Sequence, residues 1–210
     1  AGYCAMQMGL PIAKLVIATN ENDILARTLR TGRYEMRAVT ATTSPSMDIQ
    51  ISSNFERLLF ECHDRDASQI RQYMSGLKQS GAFTIDPQAL KAMRKIFSAG
   101  KATRKQTDAT IAEMHQRAGY LLDPHTAVGV HVSKRFEKPN APMITLATAH
   151  PAKFPDAVKS ASGIDPALPS WLSDLMVREE RFDKLQPDLD VIETYIARNA
   201  GAAKLTRNKI

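Results

Sequence analysis

A chain of 210 residues, 43% hydrophobic and 24% charged, is long enough to bury a full core as one large domain or two small ones. No apolar run approaches the roughly 20 residues that cross a bilayer, and no signal-peptide pattern is present, so the composition points to a cytoplasmic chain with no membrane partner. The net charge of +6 raises nucleic-acid binding as a class. Its bases cluster between Asp86 and Asp108, where Lys91, Arg94, Lys95, Lys101, Arg104 and Lys105 stand without a single acid. Leu90, Met93, Ile96 and Phe97 share that segment at helical spacing, and no RNA-binding aromatic motif or finger spacing accompanies them. The stretch reads as a solvated helix face and implies no nucleic-acid partner. Two cysteines, Cys4 and Cys62, make no disulfide framework.

Ala1 to Met8 reads as helix, stopped by Gly9 and Pro11. With no initiator Met before it, the chain is expected to be the downstream part of a longer polypeptide. Lys14–Thr19 is a short β-rich run that predicts a buried strand; the polar turn Asn20–Asp23 follows, then a helix from Ile24 to Leu29 closed near Gly32. Helix, strand, turn, helix is the rhythm of a parallel sheet. Arg37 to Thr42 is compatible with either a strand or an extended loop.

Residues 52–118 change character. Ser53 and Glu56 suggest a capping box ahead of Phe55, Leu58, Leu59 and Cys62; Ile70, Tyr73, Met74 and Leu77 form a second apolar face before Gly81. Asp86-Pro87 opens a third helix with Gly100 as its stop, and Ile111, Met114 and Ala118 precede Gly119. Four amphipathic helices in succession suggest a helical insertion. After Tyr120-Leu121-Leu122, Asp123 can cap a helix begun by Pro124, with helix preferred over strand for Ala127–Val132. Pro142–Ala147 predicts a strand, Pro151 to Ser160 a helix, Trp171 to Met176 a short amphipathic segment, and Leu189, Ile192 and Ile196 a last helix capped near Asp188. Residues 201–210 lack an amphipathic pattern and are expected to fray.

Familiar catalytic arrangements are absent: no CxxC pair, no HExxH, no P-loop and no GxSxG. His63, His115, His125, His131 and His150 show no metal-ligand spacing, and no pair of carboxylates stands out as a hydrolytic couple. Three turns do fall at expected strand ends or helix starts: Thr19–Asp23, Asp123–Ala127 and Thr148–Pro151. Each alone is compatible with a simple cap. Together at one edge of a sheet they would line a pocket, because ligands bind outside the carboxyl ends of strands in α/β folds.

Five segments carry a resemblance: Ile17–Arg27, Thr42–Ile49, Ser52–Arg57, Leu122–Gly129 and Thr148–Phe154. In that order they resemble the C-terminal half of bacterial threonine synthases, which belong to the fold-type II pyridoxal-phosphate enzymes. The resemblance implies an α/β fold with a mainly parallel sheet flanked by helices: residues 1–51 as part of the cofactor-binding domain, 52–118 as a helical insertion, and 119–210 as the rest of that domain with C-terminal helices. It implies conversion of O-phospho-L-homoserine and water to L-threonine and phosphate, with pyridoxal 5'-phosphate as cofactor. It also implies that the Schiff-base lysine and a Gly-Asn-Phe-Gly-Asp phosphate loop lie upstream. The missing N-terminal half is then a required partner, no catalytic residue falls in this chain, and the chain alone is expected to be inactive. Lys153 lies inside a matching segment but is not that lysine. Thr148 is implied as the hydroxyl facing the cofactor's pyridine nitrogen. Asn20, with Glu21 and Asn22, is implied to line the cofactor, and Asp123, His125 and Thr126 to shape the opposite wall. The alternative is a non-catalytic, threonine-synthase-like module that binds a phosphate ligand.

Overall fold

The β-rich run after the first helix, α1 (Gly2–Gln7), forms β1 (Leu15–Thr19), and its partner is a strand that the sequence pattern does not announce. β4 (Phe97–Lys101) follows directly on α5 (Pro87–Ile96) and pairs with β1 in parallel, Leu15 opposite Phe97 through Thr19 opposite Lys101. A computed structural model describes residues 1–201, so the expected fraying of 201–210 lies, from residue 202 on, outside the described residues. The chain forms two compact units, Ala1–Ala167 and Leu168–Ile210.

In the first unit, α2 (Ile24–Thr31) ends on Gly32 at φ +79°, a left-handed cap that a side chain would strain. β2 (Arg33–Glu35) then pairs antiparallel with β3 (Ala82–Thr84). Helices α3 (Ser53–Cys62) and α4 (Ala67–Ser80) lie between these strands in sequence, and α6 (Arg104–Ala118), α7 (Pro124–Ser133) and α8 (Pro155–Ser162) complete the unit. The fold is α/β, with one parallel and one antiparallel pair. The run of helices expected over 52–118 is thus interrupted by β3 and β4.

Two apolar clusters hold this unit. In the larger one, Ile24, Leu59, Ile85 and Met93 are almost fully buried around a stack of rings. Tyr34 lies 5.4 Å from Phe55 and 4.9 Å from Phe83, and Tyr73 lies 4.9 Å from Phe83, within the range where offset rings attract. The smaller cluster joins Ile111, Leu122 and Ala127, fixing α7 against α6. α7 also packs on β1 and β4. There Gly100 meets Val132 so closely that an added Cβ would stand 2.8 Å from Val132 Cγ1. Gly100 therefore serves strand-to-helix contact inside β4 and does not stop α5, which ends at Ile96.

Several local expectations are revised. Ser53 and Glu56 form no capping box, since Ser52 holds the N-cap position of α3 without a side-chain bond; the capping box belongs to Thr103 and Gln106 at the start of α6. Arg37–Thr42 is loop. Leu15–Ala18 are half-buried, not buried, because their sheet is only two strands wide. Pro142–Ala147, expected as a strand, is paired with no strand among the described residues, and Ile144 and Leu146 point outward at 77% and 66% exposure. Pro151–Lys153 is a 3-10 turn ahead of α8. In the second unit, two 3-10 turns (Ser170–Leu172 and Leu175–Val177) precede α9 (Leu189–Asn199), capped by the Asp188 carboxylate on the Val191 amide. No helix among the described residues is long and apolar enough to cross a membrane. Cys4 is exposed and Cys62 half-buried, both unbridged.

Asp23 ties β4 to α2: its carboxylate accepts from Lys101 at 3.1 Å and from Arg27 at 2.9 Å. Burial alone would raise its carboxyl, but the hydrogen bonds from Lys101 and Arg27 outweigh burial and hold it below the usual 3.8. A lowered folded pKa gives stability that is complete at pH well above 3.8 and is lost as acid carries the pH through the lower folded value. Denaturation of the Asp23→Asn variant should accordingly show a shallower loss of stability than wild type on acidification from about pH 5 to about pH 3; an unchanged acid limb would refute the role.

Candidate functional site

The turn that follows β1 is built around amides aimed at one carboxylate. Asn20 Oδ1 accepts from the Asn22 backbone N–H at 2.9 Å, a local turn that brings both side chains to the same side. Asn22 then clamps the passing loop: its Nδ2 donates to Thr40 O at 2.8 Å and its Oδ1 accepts the Thr40 N–H at 2.8 Å. Asp48 Oδ1 accepts from Asn20 Nδ2 at 2.7 Å, Asn22 Nδ2 at 3.0 Å and Thr42 Oγ1 at 2.7 Å, while its Oδ2 accepts the Thr42 N–H at 2.8 Å. Asn20 Nδ2 also lies 3.0 Å from Ser44 Oγ. Asn20, Asn22 and Ser44 are buried, while Thr42 and Asp48 are half-buried, and the buried amides have their hydrogen bonds satisfied.

A second carboxylate organises the start of α7. Asp123 is 1% exposed and accepts the His125 and Thr126 backbone N–H groups as an N-cap, which explains why a helix starts at Pro124. It accepts two more bonds, from His125 Nδ1 at 3.0 Å and from the Thr126 hydroxyl. His125 Nε2 faces the Ser46 backbone N–H at 3.2 Å. A backbone N–H only donates, so Nε2 is the acceptor and the proton sits on Nδ1, facing Asp123. Both ring nitrogens are thereby used, and the Phe154 ring lies 4.7 Å from the imidazole. His125 can orient neighbours here but has no free nitrogen for proton transfer.

The Ser46 bond joins the two hubs, because the 42–48 loop belongs to Asp48 at its ends and to His125 in between. On the other side of Asp123, Thr126 Oγ1 accepts the Thr148 N–H at 3.0 Å and lies 3.4 Å from Thr148 Oγ1. Thr148 itself is exposed. Beside it a cleft of about 170 Å³ is lined by Tyr120, Leu122, Asp123, Thr126, Ala147, Ala149 and His150 among others. His150 is exposed and caps the following 3-10 turn, its Nδ1 accepting the Ala152 N–H at 3.2 Å.

Among the residues read from sequence, Asn20 and Asn22 therefore share one hydrogen-bonded group and Asp123, His125, Thr126 and Thr148 another, the two joined by the 42–48 loop. Glu21 does not: its Oε1 accepts the Arg104 N–H at 3.2 Å, at the first turn of α6. Thr42, Ser44 and Asp48 are additional members that had been given no role, although their hydroxyl-rich run ending in an acid was the available signal. No group of three or more metal-binding side chains occurs among the described residues. Among the described residues no lysine lines the cleft. What the arrangement offers is an exposed Thr148 backed by the hydrogen bonds of Thr126, Asp123 and His125.

A family described as "Threonine synthase, C-terminal" matches residues 126–196. The threonine synthase of Pseudomonas aeruginosa is 43% identical over 206 residues, covering 97% of this chain and 44% of that protein. A crystal structure described as pyridoxal-phosphate-bound threonine synthase from Brucella melitensis superposes with a TM-score of 0.86 at 59% identity, over 95% of this chain and 43% of that one. Threonine synthase from yeast superposes with a TM-score of 0.79 at 38% identity, over 93% and 43% of the two chains. The chain thus spans less than half the length of the relatives it matches.

The Asp48 hub makes a stability prediction. Asp48→Ala leaves the Asn20 and Asn22 amides without their shared acceptor and should destabilise the chain by roughly 2–4 kcal/mol in urea unfolding. Glu21→Gln, outside the hub, should change it by less than about 0.5 kcal/mol. Equal effects of the two would contradict the hub.

Proposed function

We propose that this chain, similar over nearly all its length to threonine synthases, is the C-terminal part of such an enzyme and forms one wall of a pyridoxal-phosphate site for converting O-phospho-L-homoserine and water to L-threonine and phosphate. The observation that carries this reading is that the 42–48 loop, held by Asp48 to Asn20 and Asn22, is tied through Ser46 to His125, from which hydrogen bonds run by Asp123 and Thr126 to Thr148. Thr148 is exposed, and among the described residues it bonds only Thr126. The bound cofactor supplies an electron sink for bond changes next to the substrate's amino group.

The donor chemistry of the wall fits that cofactor. Thr148 offers a neutral hydroxyl to the pyridine nitrogen, whereas a carboxylate there would hold the nitrogen protonated. Asn20 and Asn22 act from the end of β1 by fixing the 42–48 loop. Asp123, His125 and Thr126 form the facing wall, and His125 holds its proton on Nδ1 without moving it. Glu21 steadies the start of α6.

The site needs polypeptide these residues do not include. Among the described residues no lysine lines the cleft to carry the cofactor covalently, and Pro142–Ala147 is paired with no strand, the form of a strand awaiting a neighbour. The upstream part of a threonine synthase supplies both in this reading, and the chain alone turns nothing over.

Treatment of the chain alone with pyridoxal phosphate and borohydride should leave no single lysine stoichiometrically modified. Mixing with an upstream threonine synthase segment should yield phosphate release from O-phospho-L-homoserine, and Thr148→Val should lower kcat about tenfold or more in that assembly. A stoichiometric adduct on one lysine of the isolated chain would overturn this account. Ligand binding without turnover in the assembly would favour a non-catalytic binding module.

A further inference from the structure

We infer that Thr126 is the positioning residue for Thr148, with Asp123 setting the direction of its hydroxyl; the functional meaning of this rests on the reading of Thr148 as the ring-nitrogen partner. The argument is an inventory of protons. Asp123 Oδ2 is a carboxylate oxygen, so its contact with Thr126 Oγ1 is a donation from Thr126. Thr126 has one hydroxyl proton, and that proton is now spent. Only lone pairs remain to face Thr148, and two Thr148 groups meet them: the backbone N at 3.0 Å and Oγ1 at 3.4 Å.

These two contacts are the hydrogen bonds formed by Thr148 among the described residues. Thr148 ends an extended stretch that is paired with no strand there, so a side chain on α7 does the work a sheet neighbour would otherwise do. The amide bond has ordinary geometry and fixes the backbone. The hydroxyl contact is longer than the roughly 2.5–3.0 Å of a good O–H···O bond, so the Thr148 proton is weakly held and available to a better acceptor at this exposed position. A hydrogen bond from Thr126 to a carboxylate also strengthens Thr126 as an acceptor, since neighbouring bonds polarise one another. Asp123 thereby reaches Thr148 through Thr126.

The test is amide hydrogen exchange at Thr148 by NMR, in the full chain without cofactor, together with pyridoxal-phosphate titration of the chain assembled with an upstream threonine synthase segment. In wild type the Thr148 amide should be protected. Thr126→Val should speed its exchange by about fivefold or more, the loss expected for one neutral hydrogen bond, while the Ile111 and Val128 amides keep their rates. Thr126→Ser, which retains the hydroxyl, should restore protection and cofactor affinity; a role in packing alone would not be rescued this way. A Thr148 amide that exchanges at the free-peptide rate in wild type, or stays protected in Thr126→Val, overturns the inference, and the wild-type measurement stands even if a variant fails to fold. Faster exchange with unchanged cofactor affinity would instead leave Thr126 as the tether and overturn the ring-nitrogen reading.

Discussion

The structure turns on a buried carboxylate. Asp123 is 1% exposed, and taking an ion of that kind out of water costs several kcal/mol unless donors replace the lost solvent. Four donors do so: two backbone amides at the start of α7, the His125 ring and the Thr126 hydroxyl. Each then points something else. The amides fix where α7 begins, the imidazole is turned so that Nε2 receives Ser46, and the hydroxyl is turned so that its lone pairs receive Thr148. An ordinary N-cap is worth about 1 kcal/mol. Asp123 does more than cap, because its removal would release the 42–48 loop on one side and the Thr148 backbone on the other.

Asp48 repeats the device. It too gathers side-chain donors, from Asn20, Asn22 and Thr42, and the single Ser46–His125 bond couples the two hubs. Stability and function are thereby built from different materials. The apolar stack around Tyr34, Phe83 and Tyr73 lies among α2 to α5, whereas the polar path runs along the turn after β1 and the start of α7. β1 and α7 connect the two, since α7 packs on the β1–β4 pair through the Gly100–Val132 contact. Such a division lets a wall be held in place by hydrogen bonds without being apolar.

Much of this was legible because its signals are local. Asp86-Pro87 and Asp123-Pro124 mark helix starts by capping chemistry, and Gly32, Gly81 and Gly119 mark helix ends by their left-handed φ. Asn20, His125 and Thr148 were picked out by their place at turns and by the resemblance of their segments. The failures are non-local. Phe97–Lys101 has no β-branched residue and no turn before it, so only its pairing with β1 reveals β4. Pro142–Ala147 has a strand's pattern but no partner among the described residues, since pattern specifies a face and not a neighbour. Ser53 and Glu56 have capping-box spacing, yet the chain begins α3 one residue off that frame. Glu21 sits beside Asn20 in sequence and points elsewhere, because adjacent residues in a turn need not share a direction.

The most direct measurement is a crystal structure of this chain joined to an upstream threonine synthase segment with pyridoxal phosphate bound. The account predicts the Thr148 hydroxyl oxygen at hydrogen-bond distance from the pyridine nitrogen, about 2.7–3.0 Å, with the Thr126 to Thr148 amide bond intact behind it. A pyridine nitrogen that meets some other group, with Thr148 beyond about 4 Å, would contradict it.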